Sequence, residues 1–195
     1  MVIALRLLAA INTLVLRLFR QLGWMALALM VVVILVQVFF RYVLNNALAW
    51  PDEAARFLML WMVAFLAPSA MRWNGFVAID MLHAALPRRA GLVLSLVLLG
   101  LSLLVLVEAI GHGINHTFGF GGNFDSSSLR LPLDMLGFES IRVKLRYMYG
   151  ALLVCVITLA SVTVELILRS LVELLRPGTE LPSLDQPANL LGSAE

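Results

Sequence analysis

Four long apolar stretches, separated by charged residues, constrain the fold of this chain more than any other feature of its sequence. They predict membrane spans at about residues 22–40, 54–71, 90–110 and 147–168. Each stretch is close to the roughly 20 residues that a helix needs to cross about 30 Å of hydrocarbon. The stretches are apolar on every face, unlike the alternating strands of a membrane β-barrel, so each is expected to be a helix.

The overall composition agrees with a membrane location. Apolar residues make up 62% of the 195 residues and charged residues 13%, against about 45–50% and about 25% in soluble domains. This composition excludes a soluble globular domain, a disordered chain and a nucleic-acid-binding protein, and it makes membrane lipid an expected partner. The single cysteine excludes an intramolecular disulfide. We therefore predict an all-α integral membrane protein with four transmembrane helices.

The two ends of the chain differ from the four-helix domain predicted at residues 22–176. Residues 1–21 place four polar residues on one helical face, which predicts an amphipathic helix lying in the membrane interface: Arg6, Thr13, Arg17 and Arg20. A cleaved signal peptide fits this stretch poorly, because no small-residue cleavage site precedes the first span. The proline-containing residues 177–195 are expected to form a flexible tail. A weak excess of basic residues places both termini in the cytoplasm.

The first polar cluster lies at the expected start of the second span. Pro51 suits the first helical turn, and Asp52 and Glu53 suit the positive end of the helix dipole. Arg56 is spaced to form an ion pair with either acid. Arg41, at the end of the first span, could join the cluster, and Trp50 suits the membrane interface. The cluster is consistent with a well-capped helix start, with a charged latch between two helices, or with a contact to a partner.

Two further groups of charges lie on the expected cytoplasmic side. Arg72 is expected to end the second helix at the membrane interface. Asp80 is the acid of the following loop, and Arg72 or Arg88 could be its partner. Glu165 and Arg169 have the i, i+4 spacing of a surface ion pair, which predicts that the fourth helix continues into water.

A third polar group follows the third span. Glu108, His112 and His116 share one face if that helix continues, which leaves open a redox subunit that holds haem or metal through His112 and His116. The following loop, residues 117–131, is expected to be a flexible turn. Charges at helical spacing predict that the fourth helix starts in water before Tyr147; they are Glu139, Arg142 and Arg146.

Ionisable residues are almost absent from the predicted spans, where such residues normally mark ion or proton pathways. The spans contain no paired carboxylates, no nucleophile with a base and no phosphate-binding loop, so no enzymatic activity is expected. The four spans also lack the internal duplication that is common in transporters. These features favour an auxiliary membrane subunit over a channel or exporter that acts alone.

Several motifs resemble the small membrane subunit, of DctQ type, of tripartite ATP-independent periplasmic (TRAP) transporters. The resemblance covers residues 41–80 by motif and the whole chain by length and four-span layout. It rests on Arg41-Tyr42, Trp50-x-x-Glu53-x-x-Arg56, Trp61…Phe65-Leu66-Ala67 and Met71-Arg72…Val77-Ala78-Ile79-Asp80.

The resemblance implies a multi-pass protein of the bacterial inner membrane with both termini in the cytoplasm. Its implied partners are a large multi-spanning subunit, which carries substrate and sodium ions by an elevator motion, and a periplasmic protein that delivers an organic acid. The small subunit would carry out no chemistry, hold no cofactor or metal, and enlarge the stationary scaffold. Residues matching the family pattern would be structural or partner-facing; they are Trp50, Glu53, Arg56, Arg72 and Asp80.

Overall fold

Four long helices dominate the computed structural model, which describes residues 2–48, 50–73, 87–131, 141–175 and 181–182. The helices are α1 (Val2–Tyr42), α2 (Pro51–Arg72), α3 (Arg88–Phe118) and α4 (Arg146–Leu175). All four contain a segment long and apolar enough to cross a membrane. The prediction of an all-α protein with four membrane-spanning helices is confirmed at this level.

Helix α1 is a single helix of 41 residues. The expected interfacial helix of residues 1–21 is not a separate element, because α1 runs through residue 21 without a break. No proline interrupts the stretch, and Gly23, the one glycine in it, is buried against Leu66 rather than placed in a turn. At 1.5 Å per residue the helix is about 60 Å long, roughly twice the hydrocarbon thickness of a bilayer.

A short β-hairpin stands between α3 and α4, where the sequence predicted a flexible turn. After a 3-10 helix at Phe120–Asn123, strand β1 (Asp125–Leu131) pairs antiparallel with β2 (Ile141–Lys144), and the register shifts between Asp125 and Arg130. The alternation of apolar and charged residues in Ile-Arg-Val-Lys favours a strand.

Longer forms of both helices beside this hairpin were considered from the sequence, with a later end for the third helix and an earlier start for the fourth. The third helix does continue beyond Glu108, the condition on which the shared face of Glu108, His112 and His116 depended, since α3 ends at Phe118. The early start of the fourth helix is wrong: Arg142 lies in β2 opposite Arg130, and α4 begins at Arg146. Glu139 is outside the described residues.

The chain divides into two compact units, and each long helix contributes to both. Unit 1 comprises Met1–Leu18, Ala67–Glu108 and Ile157–Glu195. Its core contains buried apolar side chains from α1 and α4, which are Leu5, Leu16, Val162 and Val172.

Unit 2 comprises Phe19–Leu66 and Ala109–Val156. Aromatic rings from α1 and α2 pack within it, with centroid distances of 4.9 Å between Phe19 and Phe65 and 5.3 Å between Trp61 and Phe65. Such tilted ring pairs stabilise beyond the area that they bury.

Candidate functional site

A buried ion pair with two arginines lies in unit 1. The Glu165 side chain on α4 is fully buried, and the Arg72 side chain at the end of α2 is 1% exposed. One carboxylate oxygen, Glu165 Oε1, accepts hydrogen bonds from both guanidinium groups. Arg72 donates from Nη2 at 2.8 Å and from Nε at 3.2 Å; Arg169 donates from Nη2 at 2.7 Å and from Nε at 3.0 Å.

Helix α1 supplies the remaining partners of this pair. Asn12 Nδ2 donates to Glu165 Oε2 at 2.8 Å, and Asn12 Oδ1 accepts from Ser161 Oγ at 2.7 Å. Arg72 donates from Nη1 to Thr13 Oγ1 at 2.8 Å and from Nη2 to the Ala9 carbonyl at 3.1 Å. We name this set the Glu165 cluster; it consists of Asn12, Thr13, Arg72, Ser161, Glu165 and Arg169.

The cluster also holds a piece of chain beyond α4. Arg169 Nη1 donates to the backbone carbonyl of Pro182 at 2.7 Å. Leu181 and Pro182 are the two residues described in the predicted tail, and both are partly buried. The rest of the tail, and the flexibility predicted for it, lie outside the described residues.

The Glu165 cluster stabilises the packing of the helices. Buried charges are tolerated when they are paired and their remaining donors and acceptors are satisfied. Both carboxylate oxygens of Glu165 have partners, and both guanidinium groups reach a second acceptor. Since these hydrogen bonds join α1, α2 and α4, the cluster fixes the three helices in one arrangement.

The sequence misplaced two of these charges. Glu165 and Arg169 do form the expected i, i+4 pair, but it is buried rather than exposed to water. The reason is that Arg72 and Asn12 arrive from other helices and replace the water that a surface pair would keep. One signal was present: Asn12 lies on the same helical face as Leu5, Ala9 and Leu16, all of which are buried. A polar residue within an apolar stripe needs a buried partner.

The polar cluster at the start of α2 lies in unit 2. Pro51 occupies the first helical position and is fully buried, and the carbonyl of the half-buried Trp50 accepts the Ala54 N–H at 3.0 Å. Glu53 Oε1 accepts a hydrogen bond from Ser126 Oγ of β1 at 2.8 Å. This bond ties the hairpin to α2, a connection that the sequence did not reveal.

The possible ion pair of Arg56 is not formed. Arg56 is exposed and has no ion pair with any residue that the structure describes. Asp52 instead lies beside α1, where Gln37 Nε2 is 3.5 Å from its Oδ1. Arg41 is exposed, with its guanidinium carbon 5.9 Å from the centroid of the Tyr42 ring. Asp80, expected near Arg72, lies outside the described residues.

The face with histidines on α3 is solvent-facing in the isolated chain. Glu108, His112 and His116 are all exposed, and the His116 ring lies 5.7 Å from the Tyr149 ring. Within the described part of the chain, no three of its His, Cys, Asp and Glu residues are grouped so that they could hold a metal ion. This geometry gives no support to the metal- or haem-holding alternative.

Comparison with known proteins identifies the family of the chain. The family model for the DctQ component of tripartite ATP-independent periplasmic transporters matches residues 30–176. No curated protein and no solved structure matches the chain. The matched segment includes about the last third of α1, all of α2, α3 and α4, and the two strands of the hairpin. It contains the three charged members of the Glu165 cluster. The chain therefore belongs to the DctQ component family of the TRAP transporters, a non-enzymatic family.

Proposed function

We propose that this chain is the stationary scaffold on which a large, elevator-type TRAP subunit moves, during sodium-driven uptake of an organic acid. The observation that carries the proposal is the family match over residues 30–176. Membership makes the chain a multi-pass component of a transporter in the inner membrane, with the other components of a TRAP complex as partners. The scaffold role goes beyond membership and rests on the physical arguments below.

A scaffold must resist deformation while its neighbour moves. The Glu165 cluster supplies a fixed connection, since three helices share a set of buried, charge-assisted hydrogen bonds. Such bonds are shorter and stronger than neutral ones. Separating the helices would break the hydrogen bonds that compensate these buried charges. The arrangement therefore supports a rigid subunit rather than one that cycles between conformations.

The outer surfaces of the helices suit contact with lipid and with another membrane subunit. Large apolar side chains on α3 are exposed in the isolated chain, among them Leu101 at 60%, Leu104 at 70% and Val105 at 64%. The apolar segment of α3 has only 6% of its residues buried within the chain. Side chains of this kind are covered by hydrocarbon or by a partner when the protein is in a membrane.

The first half of α1 is proposed to extend beyond the hydrocarbon on the cytoplasmic side. A helix of about 60 Å is too long for one perpendicular crossing of about 30 Å. Arg6 and Arg17 are exposed, and basic side chains favour the headgroup region on the cytoplasmic side. Both termini are then cytoplasmic. Fusions of a reporter to each terminus, active only in the cytoplasm, test this topology.

With that topology, the hairpin between α3 and α4 faces the periplasm. We propose that this end of the chain helps to receive the periplasmic substrate-binding protein. The Glu53–Ser126 hydrogen bond supports the proposal, because it holds the hairpin in a fixed position relative to α2. Charge reversals on β2, at Arg142 or Lys144, should weaken transport at limiting binding protein and leave assembly intact. Unchanged dependence on binding protein would contradict this part of the proposal.

Assembly and transport together test the scaffold function. Co-expression with a candidate large TRAP subunit should yield a complex that survives purification, and omission of this chain should abolish uptake in reconstituted vesicles. The isolated chain in liposomes should transport nothing. Saturable uptake by the isolated chain, or full transport without it, would overturn the proposal.

A further inference from the structure

A small cavity with a mixed polar and apolar lining lies between the end of α1 and the start of α2, within unit 2. Its volume is about 230 Å³. Gln37, Arg41 and Asp52 contribute its polar lining, and Ile34 and Val38 are among its apolar residues. The cavity is separate from the Glu165 cluster, and no family property described above uses it.

The amide of Gln37 is incompletely satisfied at this cavity. The side chain is buried, at 9% exposure, yet its Oε1 has no hydrogen-bond partner among the described residues. Its Nε2 reaches Asp52 Oδ1 at 3.5 Å, which is the outer limit for a hydrogen bond. A buried acceptor without a donor is costly. The last torsion of glutamine turns easily, so a donor placed beside Asp52 could satisfy the amide oxygen.

The two charges of the cavity are available to a ligand of mixed charge. The Asp52 carboxylate and the Arg41 guanidinium are both exposed, and neither forms an ion pair within the described part of the chain. A ligand complementary to them carries an ammonium that donates hydrogen bonds and, a few bonds away, a phosphate. The phosphoethanolamine headgroup of a phospholipid has this chemistry.

The surroundings favour a lipid as the source of that headgroup. Ile34 and Val38 are 43% and 45% exposed in the isolated chain, and they lie two turns and one turn before Arg41 along the apolar part of α1. Acyl chains attached to a headgroup in the cavity would lie along this apolar surface. Arginine and tyrosine side chains at a helix end are typical of the membrane interface, where phospholipid headgroups are found.

We propose that Gln37, Arg41 and Asp52 form a binding site for the headgroup of phosphatidylethanolamine. The ammonium donates hydrogen bonds to the Asp52 carboxylate and to Gln37 Oε1, and the phosphate binds Arg41. Phosphatidylcholine lacks N–H donors, and phosphatidylglycerol lacks a cation. The site therefore discriminates among phospholipids by the ammonium group and not by the phosphate.

Native mass spectrometry of the full chain tests this site without any substitution. The chain in detergent micelles is titrated with phosphatidylethanolamine, its N-methyl and N,N-dimethyl derivatives, phosphatidylcholine and phosphatidylglycerol, all with the same acyl chains. Loss of a hydrogen bond to a charged group corresponds to about a tenfold change in affinity. We expect phosphatidylethanolamine to bind at least about tenfold more tightly than phosphatidylcholine and phosphatidylglycerol, with the methylated forms between. Equal affinities across the series would overturn the proposal.

Three variants test which residues determine the selectivity among phospholipid headgroups. Asp52→Asn should reduce the preference for ethanolamine over choline to near one. Arg41→Gln should weaken the binding of all these phospholipids and leave the preference for ethanolamine over choline unchanged. The matched control is Glu53→Gln, because Glu53 is the adjacent acid but does not line the cavity, and it should behave as the unmodified chain. Retention of the full preference in Asp52→Asn would overturn the site.

Discussion

Arg72 and Glu165 are 93 positions apart in the sequence, and the Arg72 Nη2 atom lies 2.8 Å from Glu165 Oε1 in an environment closed to solvent. The contact joins the last turn of α2 to the middle of α4. Because Glu165 Oε1 also accepts from Arg169, one carboxylate compensates two guanidinium groups. Its removal should therefore affect the fold more than the removal of any exposed charge in the chain.

Glu165→Ala is expected to destabilise the chain strongly. The substitution leaves Arg72 and Arg169 buried without their shared counter-ion, and breaking a buried pair in this way costs about 3–5 kcal/mol. The free energy of unfolding, measured by denaturant titration in micelles with tryptophan fluorescence, provides the test. Arg56→Ala is the matched control, and because Arg56 is exposed and unpaired among the described residues, its effect should stay within about 0.5 kcal/mol.

Replacing both Arg72 and Glu165 with apolar residues distinguishes the contribution of packing to stability from that of the charges. An apolar exchange of a buried pair is often much less harmful than the loss of one member. The double variant Arg72→Met/Glu165→Leu should therefore lose less stability than Glu165→Ala. If the double variant is as unstable as the sum of its single variants, the two residues do not interact in the way that the structure shows.

Gly23→Ala is expected to destabilise the contact between α1 and α2. A Cβ atom at this position would come within 2.6 Å of Leu66 Cδ2, so the leucine has to move. Overpacking of this kind costs about 1–3 kcal/mol. Leu66→Ala, added to Gly23→Ala, should recover part of the loss, which a double-mutant cycle measures.

The control for the glycine prediction is Gly100→Ala. No atom lies within 4 Å of a Cβ built at Gly100, and alanine is the better helix former by about 1 kcal/mol. Gly100→Ala should be neutral or stabilising in the isolated chain. Equal destabilisation at both glycines would show that the Leu66 contact is not the cause.

Ser126→Ala is expected to loosen the hairpin. The substitution removes the donor of the hydrogen bond to Glu53, which is worth about 1.5–3 kcal/mol if the carboxylate loses a well-aligned partner. Hydrogen exchange of the β1 and β2 amides should become faster, with α4 unaffected. Protection unchanged in both strands would mean that the hairpin is held by other contacts.

Glu53→Ala is expected to weaken assembly with the large subunit, and Arg56→Ala to do the same through a different contact. Glu53 orients the hairpin, whereas Arg56 is exposed and available to a partner. Co-purification yield measures the effect, and substrate affinity of the complexes that form should not change. An intact complex with an altered substrate dissociation constant would show that these residues act on the substrate instead.

Truncation after residue 180 is expected to weaken the Glu165 cluster. It removes Pro182, whose carbonyl accepts from Arg169 Nη1, at a cost of about 1 kcal/mol. The control is truncation after residue 183, which keeps that acceptor. The two truncated forms should differ in unfolding free energy. Identical values would show that the Pro182 contact does not contribute to stability.

The helices could be predicted from the sequence because charged residues bracket apolar stretches of membrane-crossing length. The family could be recognised because its motif residues, such as Trp50, Glu53 and Arg56, lie close together in the sequence. Both kinds of information are local. They extend over tens of residues and do not depend on how the helices pack.

The Glu165 cluster could not be predicted, because its partners come from distant parts of the chain. The spacing of Glu165 and Arg169 fits a solvated pair and a buried pair equally well. Asn12, 153 positions away, is what excludes water from one side of the carboxylate. The hairpin was missed for another reason: the charges around Arg142 fit a helical spacing, and a four-residue strand gives a short pattern that competes poorly with it.

The unbroken course of α1 has a mechanical implication. A continuous helix is stiff, so a force applied near its C-terminal end is transmitted to the segment around Asn12, because no hinge lies between them. Under the proposed scaffold function, force from the moving large subunit would be transmitted along α1 to the buried ion pairs of the Glu165 cluster. Inserting a Gly-Pro hinge near residue 21 should leave the two halves of α1 folded, while movement of one half is no longer transmitted to the other.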